Sequence, residues 1–313
     1  MKLRVMPGTN VSRHALMFTT VLLGLLGGVL GHAVAAGAPP AIRPLAQAEQ
    51  VLALRDTPTG RRLTFIDVRD VQAYREAHLP GALSFPVENS FGSGANRSRI
   101  VSPARFRRLF SRLGVRNDDY VVIYDDGSLL NAAHLFWVME VYGHRDVSVL
   151  EGGLPAWRRA GGKLSRETVS RPASDYVPGM VPERLATQLS TRLALDNPEV
   201  VIIDSRPRSH YLGRESGASR AGHIPGSVNI PASENLREEA GISRVRPGQQ
   251  LQSLYAALGK QRHIITYCNR GRESALTYLV LRNLGYRVAV YDGAWLEWGN
   301  DPQLPVESEQ VLP

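Results

Sequence analysis

A chain of 313 residues with one cysteine can close no internal disulfide and build no cysteine-rich zinc site. It also lacks any run of five or six basic residues, although its net charge is +8. The positive excess is diffuse, so a solvated basic surface explains it better than a nucleic-acid arm. Beyond residue 35 no segment is long and apolar enough to span a bilayer. What is present is ordinary globular material: 43% hydrophobic, 21% charged and 7% aromatic residues. That composition excludes a disordered chain, a collagen-like repeat and a coiled coil. The length suits roughly two domains.

The first 35 residues carry Lys2, Arg4 and Arg13 and no acid, which leaves +5 on the remainder. An apolar stretch follows from Ala15 to Leu30, then the small-x-small triplet Ala33-Val34-Ala35. This pattern predicts a secretory signal peptide, residues 1–35, cut after Ala35. An uncleaved membrane anchor is the alternative reading. No cysteine lies near the cleavage point and no Arg-Arg pair precedes the apolar run, which argues against a lipoprotein and a twin-arginine route. The expected location is periplasmic or secreted, with no membrane contact after cleavage.

The rest of the chain repeats itself once. Thr64 to Arg69 matches Val201 to Arg206, His78-Leu79-Pro80-Gly81 matches His223-Ile224-Pro225-Gly226, and Val121 to Asp125 matches Ile264 to Cys268. Gly152 and Trp157 match Gly293 and Trp298. The offsets are 137, 145, 143 and 141 residues, in one order. A period this long means a duplicated domain. Within each copy, β-branched apolar runs alternate with helical stretches. Strand 264–267, an apolar helix face at Leu276, Val280 and Leu284, a capping Gly285 and strand 288–291 recur in the first copy as 121–124, a helix to about Tyr142, Gly143 and 147–150. The fold class is α/β: two tandem domains, each a mainly parallel sheet flanked by helices. The expected boundaries are 36–162, a polar proline-bearing linker 163–182, a second domain 183–301 and a loose tail 302–313.

Tyr74 to Ala82, Ala221 to Gly226, the loop Cys268-Asn269-Arg270-Gly271-Arg272-Glu273 and Asp292 to Trp298 together resemble the rhodanese superfamily in its tandem form. The resemblance covers residues 45 to 301. It implies a sulfurtransferase with an inactive first domain and a catalytic second one. Asp125 stands at the position equivalent to Cys268, in keeping with that division.

Such a reaction needs a thiolate that takes a sulfane sulfur, holds it as a persulfide and passes it on. An ordinary thiol, with a pKa of about 8.5, is only partly ionised at neutral pH. Cys268 follows a strand and precedes a helix. Backbone N–H groups, the helix N-terminus, Arg270 and Arg272 are therefore expected to favour its thiolate. Gly271 supplies positive φ or close backbone approach. The expected donor site is Asn269, Arg270, Gly271, Arg272 and Glu273. The resemblance adds Arg206, at an Asp-x-Arg position, as a ligand for the donor's anionic group. Arg214, eight residues on, is a candidate second clamp. A salt bridge within the domain is the plainer reading of Arg206, and structural hydrogen bonding that of Asp67, His78, Asp204 and His223. Trp295 is expected to pack, or to wall the pocket.

Two arginines favour dianionic thiosulfate over monoanionic 3-mercaptopyruvate as donor. A thiol or thioredoxin-like protein is a candidate acceptor. The histidines lack metal-ligand spacing, so no metal is expected; no cofactor and a monomer are the further expectations. Rival readings are 3-mercaptopyruvate sulfurtransfer, a non-catalytic sulfur carrier, and a fold relic with an inert thiol. A Cys-x5-Arg phosphatase loop is disfavoured because Ser274 stands where its arginine belongs.

Overall fold

The structure is a computed structural model that describes residues 43–55, 60–94, 97–259 and 262–309. The expected signal peptide lies outside the described residues. Among the described residues no helix is long and apolar enough to cross a membrane.

The first copy contains β1 (Leu45–Ala46), α1 (Ala48–Arg55), β2 (Leu63–Asp67), α2 (Val71–Glu76), β3 (Leu83–Ser84), α3 (Pro103–Arg112), β4 (Tyr120–Tyr124), α4 (Leu130–Val141), β5 (Val147–Leu150) and α5 (Gly153–Arg159). The second contains β6 (Leu185–Ala186), α6 (Gln188–Ala194), β7 (Val200–Asp204), α7 (Arg208–Tyr211) and β8 (Val228–Asn229). It continues with β9 (Leu236–Glu239), β10 (Ile242–Val245), α8 (Gly248–Leu254), β11 (His263–Tyr267), α9 (Arg272–Asn283), β12 (Arg287–Tyr291) and α10 (Ala294–Trp298). The sheet orders are β1-β5-β4-β2-β3 and β6-β12-β11-β7-β8, and every pairing in both is parallel. The duplication read from the sequence is thus a duplication of topology. The second copy carries an antiparallel β9–β10 hairpin, where the first has an antiparallel bridge between Phe91 and Ile100.

Central strands such as Tyr-Val-Val-Ile-Tyr in β4 are buried on both faces, as a parallel sheet covered by helices requires. Helix α4 is apolar around its whole circumference and buried from Ala132 to Met139. Such a helix needs cover on all sides. It lies between its own sheet and the second domain, packed along α9. One hydrophobic cluster runs through Leu135, Val138 and Met139 into Ala275, Tyr278 and Leu279. Glu140 of α4 accepts from Tyr278 Oη (2.5 Å) and pairs with Arg282 (2.8 Å) of α9. This seam holds the loops preceding α4 and α9 side by side.

The linker and the tail are more ordered than their composition suggests. Residues 163–182 strap across the first copy. His78 and Ser165 exchange backbone hydrogen bonds, Ser174 N–H bonds Ser111, and Tyr176 is buried against Phe110. The expectation of a loose tail fails for residues 302–309. His223 and Glu307 repeat the His78–Ser165 exchange, Trp298 Nε1 donates to Pro305 O (2.7 Å), and Leu304 and Val306 pack on the core. Linker and tail are the same strap in two copies.

Candidate active site

Cys268 is the residue after β11, and Gly271 is the N-cap of α9 with φ 99°. The positive φ turns the Gly271 N–H onto Cys268 Sγ at 3.1 Å. Ser274, in the first turn of α9, brings its hydroxyl to 3.4 Å from the same sulfur and 3.2 Å from Gly271 O. The sulfur sits at the N-terminus of a twelve-residue helix, whose dipole favours negative charge there.

The first copy displays the same cradle filled. Asp125 follows β4, and its carboxylate accepts from Gly127 N–H (2.9 Å), Leu129 N–H (3.2 Å), Ala132 N–H (3.3 Å) and Ser128 Oγ–H (3.3 Å). A nest of this kind is built for an anion. Its second version holds a thiol.

A cavity of about 320 Å³ opens on the thiol. It is lined by Cys268, Asn269, Arg270, Arg272 and Glu273 of the loop and by Glu88, Phe91 and Leu130 of the first domain. Five expected residues therefore converge, and Gly271 shapes the loop behind them. Arg270 is exposed and makes no ion pair among the described residues. Arg272 pairs with Glu88 and lies over the Phe91 ring, 5.4 Å from its centroid. Asn269 Oδ1, Arg272 Nε and His134 Nε2 are buried around the loop with no hydrogen-bond partner. They are natural contacts for a bound molecule or water.

The electrostatics differ from the expectation that two arginines would ionise the thiol. Burial pushes the Cys268 thiol up from its ordinary value and the Glu273 carboxylate pushes it further. Hydrogen bonds from Ser274 and from the loop backbone pull the other way without overcoming this. Arg272 is turned to Glu88, so half of the expected cationic help is spent across the domain interface. Glu273 is itself pushed up, first by burial and then by Asp204, while Arg206 and the neighbouring thiol draw it down.

Arg206 does not reach the cavity. Its guanidinium is fully buried, bound to Asp204 (2.5 Å) and to Gly222 O (2.7 Å), and capped by Trp295 at 4.4 Å. Arg69 makes the same bonds to Asp67 (2.6 Å) and Ala77 O (2.6 Å) in the copy that lacks a cysteine. A device present in both copies belongs to the fold, so the plainer reading of Arg206 replaces its assignment as a donor ligand. Arg214 is exposed, 3.9 Å from Glu309 and absent from the cavity wall, and is likewise no clamp. Trp295 packs over Arg206 and donates to Ser216 Oγ (3.2 Å). His78 and His223 bond the carbonyls of Tyr74 and Tyr211, both at 2.7 Å, and stack on those rings.

Sequence reasoning missed the first domain's share. His134 of α4 stacks on Phe91 (3.9 Å between centroids), and its ring lies 3.6 Å from where a Cβ on Gly271 would stand. Ser90 Oγ lies 2.5 Å from Val87 O, its only available acceptor there, so it donates to Val87 and accepts from His134 Nδ1–H at 2.8 Å. Burial and Arg272 push His134 down to about 3, so the ring is neutral. Leu130 was findable, since the duplication sets the start of α4 against the start of α9. Glu88 and Phe91 have no counterpart signal.

A strand–thiol–helix loop facing a cavity between two copies of one α/β domain defines a covalent group-transfer enzyme class that works through a thiol. The Rhodanese-like domain family model matches residues 47–160 and 186–301. The thiosulfate sulfurtransferase of Pseudomonas aeruginosa is 33% identical over 250 residues, covering 78% of this chain and 91% of that protein. The 3-mercaptopyruvate sulfurtransferase of Escherichia coli K12 is 31% identical over 243 residues, covering 75% and 85%. The solved structure of SseA from Escherichia coli superposes with a TM-score of 0.71 at 27% identity, covering 81% of this chain and 99% of that one. The chain belongs to the rhodanese family of sulfurtransferases.

Proposed function

We propose that the protein carries sulfane sulfur from thiosulfate, through a persulfide on Cys268, to a thiophilic acceptor such as cyanide or a thiol. The observation that carries this reading is the cradle around Cys268 Sγ, which receives the Gly271 N–H and the Ser274 hydroxyl and opens on a cavity bearing the uncommitted cation Arg270. The thiolate attacks the outer sulfur of thiosulfate, the S–S bond breaks, and sulfite leaves with the electron pair. The same nest that holds the thiolate then holds the persulfide anion. A small thiol, or the exposed cysteine of a thioredoxin-like protein, removes the outer sulfur. We place it in the periplasm or outside the cell by its N-terminal pattern, and as a monomer because the fused pair of domains already buries an interface.

One observation favours 3-mercaptopyruvate as the donor instead. With Glu88 and Glu273 set against Arg270 and Arg272, the cavity walls carry no net charge when both acids are ionised. That suits a monoanion better than a dianion.

The test is intact mass of the mature protein before and after thiosulfate, alongside Cys268→Ser. Gain of one sulfur atom, absent from the variant and discharged by cyanide, is the expected result. A gain from 3-mercaptopyruvate but none from thiosulfate transfers the assignment to the second donor. No gain from either leaves a binding or carrier role.

A further inference from the structure

We propose that Glu273 is a catalytic acid–base residue: it takes the Cys268 proton when the thiolate forms and returns it to the departing group. The inference rests on Cys268 being the sulfur carrier and goes on to say what moves its proton.

Cys268 Sγ is cradled by groups that donate. Gly271 N–H points at it, and Ser274 divides one proton between Sγ and Gly271 O. Nothing in that nest takes the thiol proton away. The group that does is the Glu273 carboxyl, in the first turn of α9. It lines the same cavity as the thiol, close enough that its charge pushes the thiol up.

The charged groups around this pair are largely spoken for. Asp204, at the end of β7, faces Glu273 and is bound by Arg206 and by Tyr267 Oη (2.7 Å). Arg272, beside Glu273 on α9, is bound by Glu88 from the first domain. Arg270 lines the cavity, exposed and with no ion-pair partner among the described residues. His134, across the loop, is buried and neutral. Cys268 and Glu273 are therefore the two acids of the cavity with no ion-pair partner among the described residues. Charge on Glu273 opposes ionisation of the thiol, and by linkage the thiolate opposes that of Glu273. Such a pair loses its two protons in two separated steps, and between them it holds one proton in common. The Leu130 side chain and the prolines Pro207 and Pro231 border Glu273 on a neighbouring cavity of about 180 Å³, an apolar setting that strengthens this coupling.

The singly protonated pair can react without outside help. With the proton on Glu273, the thiolate attacks the outer sulfur of thiosulfate. The bond from that sulfur to the sulfonate breaks, and its electron pair goes to sulfite. Glu273 gives its proton to a sulfite oxygen. One thiol and one thiosulfate dianion become one persulfide anion and one hydrogen sulfite, with no oxidant or reductant consumed. With the proton on Glu273 the two arginines balance Glu88 and the thiolate, so the cavity repels an anionic donor by one charge less than with Glu273 ionised. This reconciles the acid in the wall with an anionic substrate.

The experiment is the pH profile of Cys268 alkylation in the full chain, by neutral iodoacetamide and by anionic iodoacetate, read as intact mass. It is run for wild type, Glu273→Gln and Glu273→Asp. Wild type should show two steps, and Glu273→Gln one step at intermediate pH. Above the second step the iodoacetate-to-iodoacetamide rate ratio should rise about tenfold in Glu273→Gln, and Glu273→Asp should keep two steps. Persulfide formation from thiosulfate in a single turnover should slow about 10²-fold in Glu273→Gln and lose its alkaline decline. An unchanged profile and an unchanged reagent ratio in Glu273→Gln overturn the acid–base role, while persulfide on wild-type Cys268 preserves the sulfurtransferase reading. If wild type alkylates in two steps but takes no sulfur from either donor, it is the sulfurtransferase reading that fails. Should Glu273→Gln not fold, loss of the two-step profile in Glu273→Asp overturns the proposal.

Discussion

Asp125 and Cys268 hold the same position, one residue beyond the central strand, in two copies of one fold, and both are met by backbone N–H groups. Past this position the copies diverge. Five residues separate β4 from α4 and four separate β11 from α9. In the first copy the helix begins with Leu130 and Asn131, where the second begins with Arg272 and Glu273. A thiol at position 125 would have the nest but neither the arginines nor the glutamate of the second loop. Asp125→Cys placed on a Cys268→Ser background is expected to take up no sulfur from thiosulfate, as read by intact mass. Uptake would show that the nest alone suffices.

Arg206 and Arg270 make opposite predictions. Removing the Arg206 side chain leaves Asp204 as a fully buried carboxylate without its counter-ion. Breaking such a pair costs about 3–5 kcal/mol. Arg206→Ala should lower the unfolding free energy in urea by that amount, and any activity lost should follow folded fraction. Arg270→Ala should leave stability unchanged and raise the KM for thiosulfate about tenfold, the worth of one charge-assisted hydrogen bond. A donor role for Arg206 would instead show as a KM effect in a protein of normal stability.

These contrasts also mark what the sequence made legible. The α/β alternation, the duplication and the position of the thiol are legible because each rests on local pattern: β-branched runs, capping glycines at 143 and 285, and a cysteine between strand and helix. Arg206 was misplaced because Asp-x-Arg looks alike whether the guanidinium faces inward or outward. Its twin at Arg69 was in view and could have settled the matter. The polar, proline-bearing strap 163–182 reads as linker because its bonds go to backbone atoms far away, such as Tyr142 O and Ser111 O. Glu88 and Phe91 were beyond reach, since only the packing of α4 on α9 brings them to the loop.

Asp292 couples the domain interface to pH. Its carboxylate accepts from Ile100 N–H (2.8 Å) across the two domains, and burial pushes it up to about 7. The native state therefore holds this proton more tightly than the unfolded chain, whose carboxyl titrates near 3.8. The stability this gives is whole below that lower value and is lost as pH rises through about 7. Asparagine keeps an oxygen for Ile100 and has no charge to bury. Asp292→Asn should match wild type near pH 4 and exceed it at pH 8 by about 1–3 kcal/mol. Denaturant unfolding at the two pH values measures the difference, and an equal effect at both would mean that the carboxyl does not titrate in this range.

Gly271 is where backbone conformation meets chemistry. At φ 99° a side chain is strained even without a clash, and the nearest obstacle to a Cβ is the His134 ring at 3.6 Å, an ordinary contact. The space is therefore adequate and only the dihedral is not. Left-handed backbone costs a non-glycine residue about 1–2 kcal/mol. The chain can relieve this by rotating the peptide, and rotation turns the 271 N–H away from Cys268 Sγ. The same substitution would then cost little stability and much rate. Gly271→Ala is expected to unfold within about 2 kcal/mol of wild type, and to form persulfide at least about tenfold more slowly, the loss of one hydrogen bond to a developing anion. Iodoacetamide reactivity should shift to higher pH in parallel, since the same N–H supports the thiolate. Stability lost without that shift would place the glycine's role in folding alone.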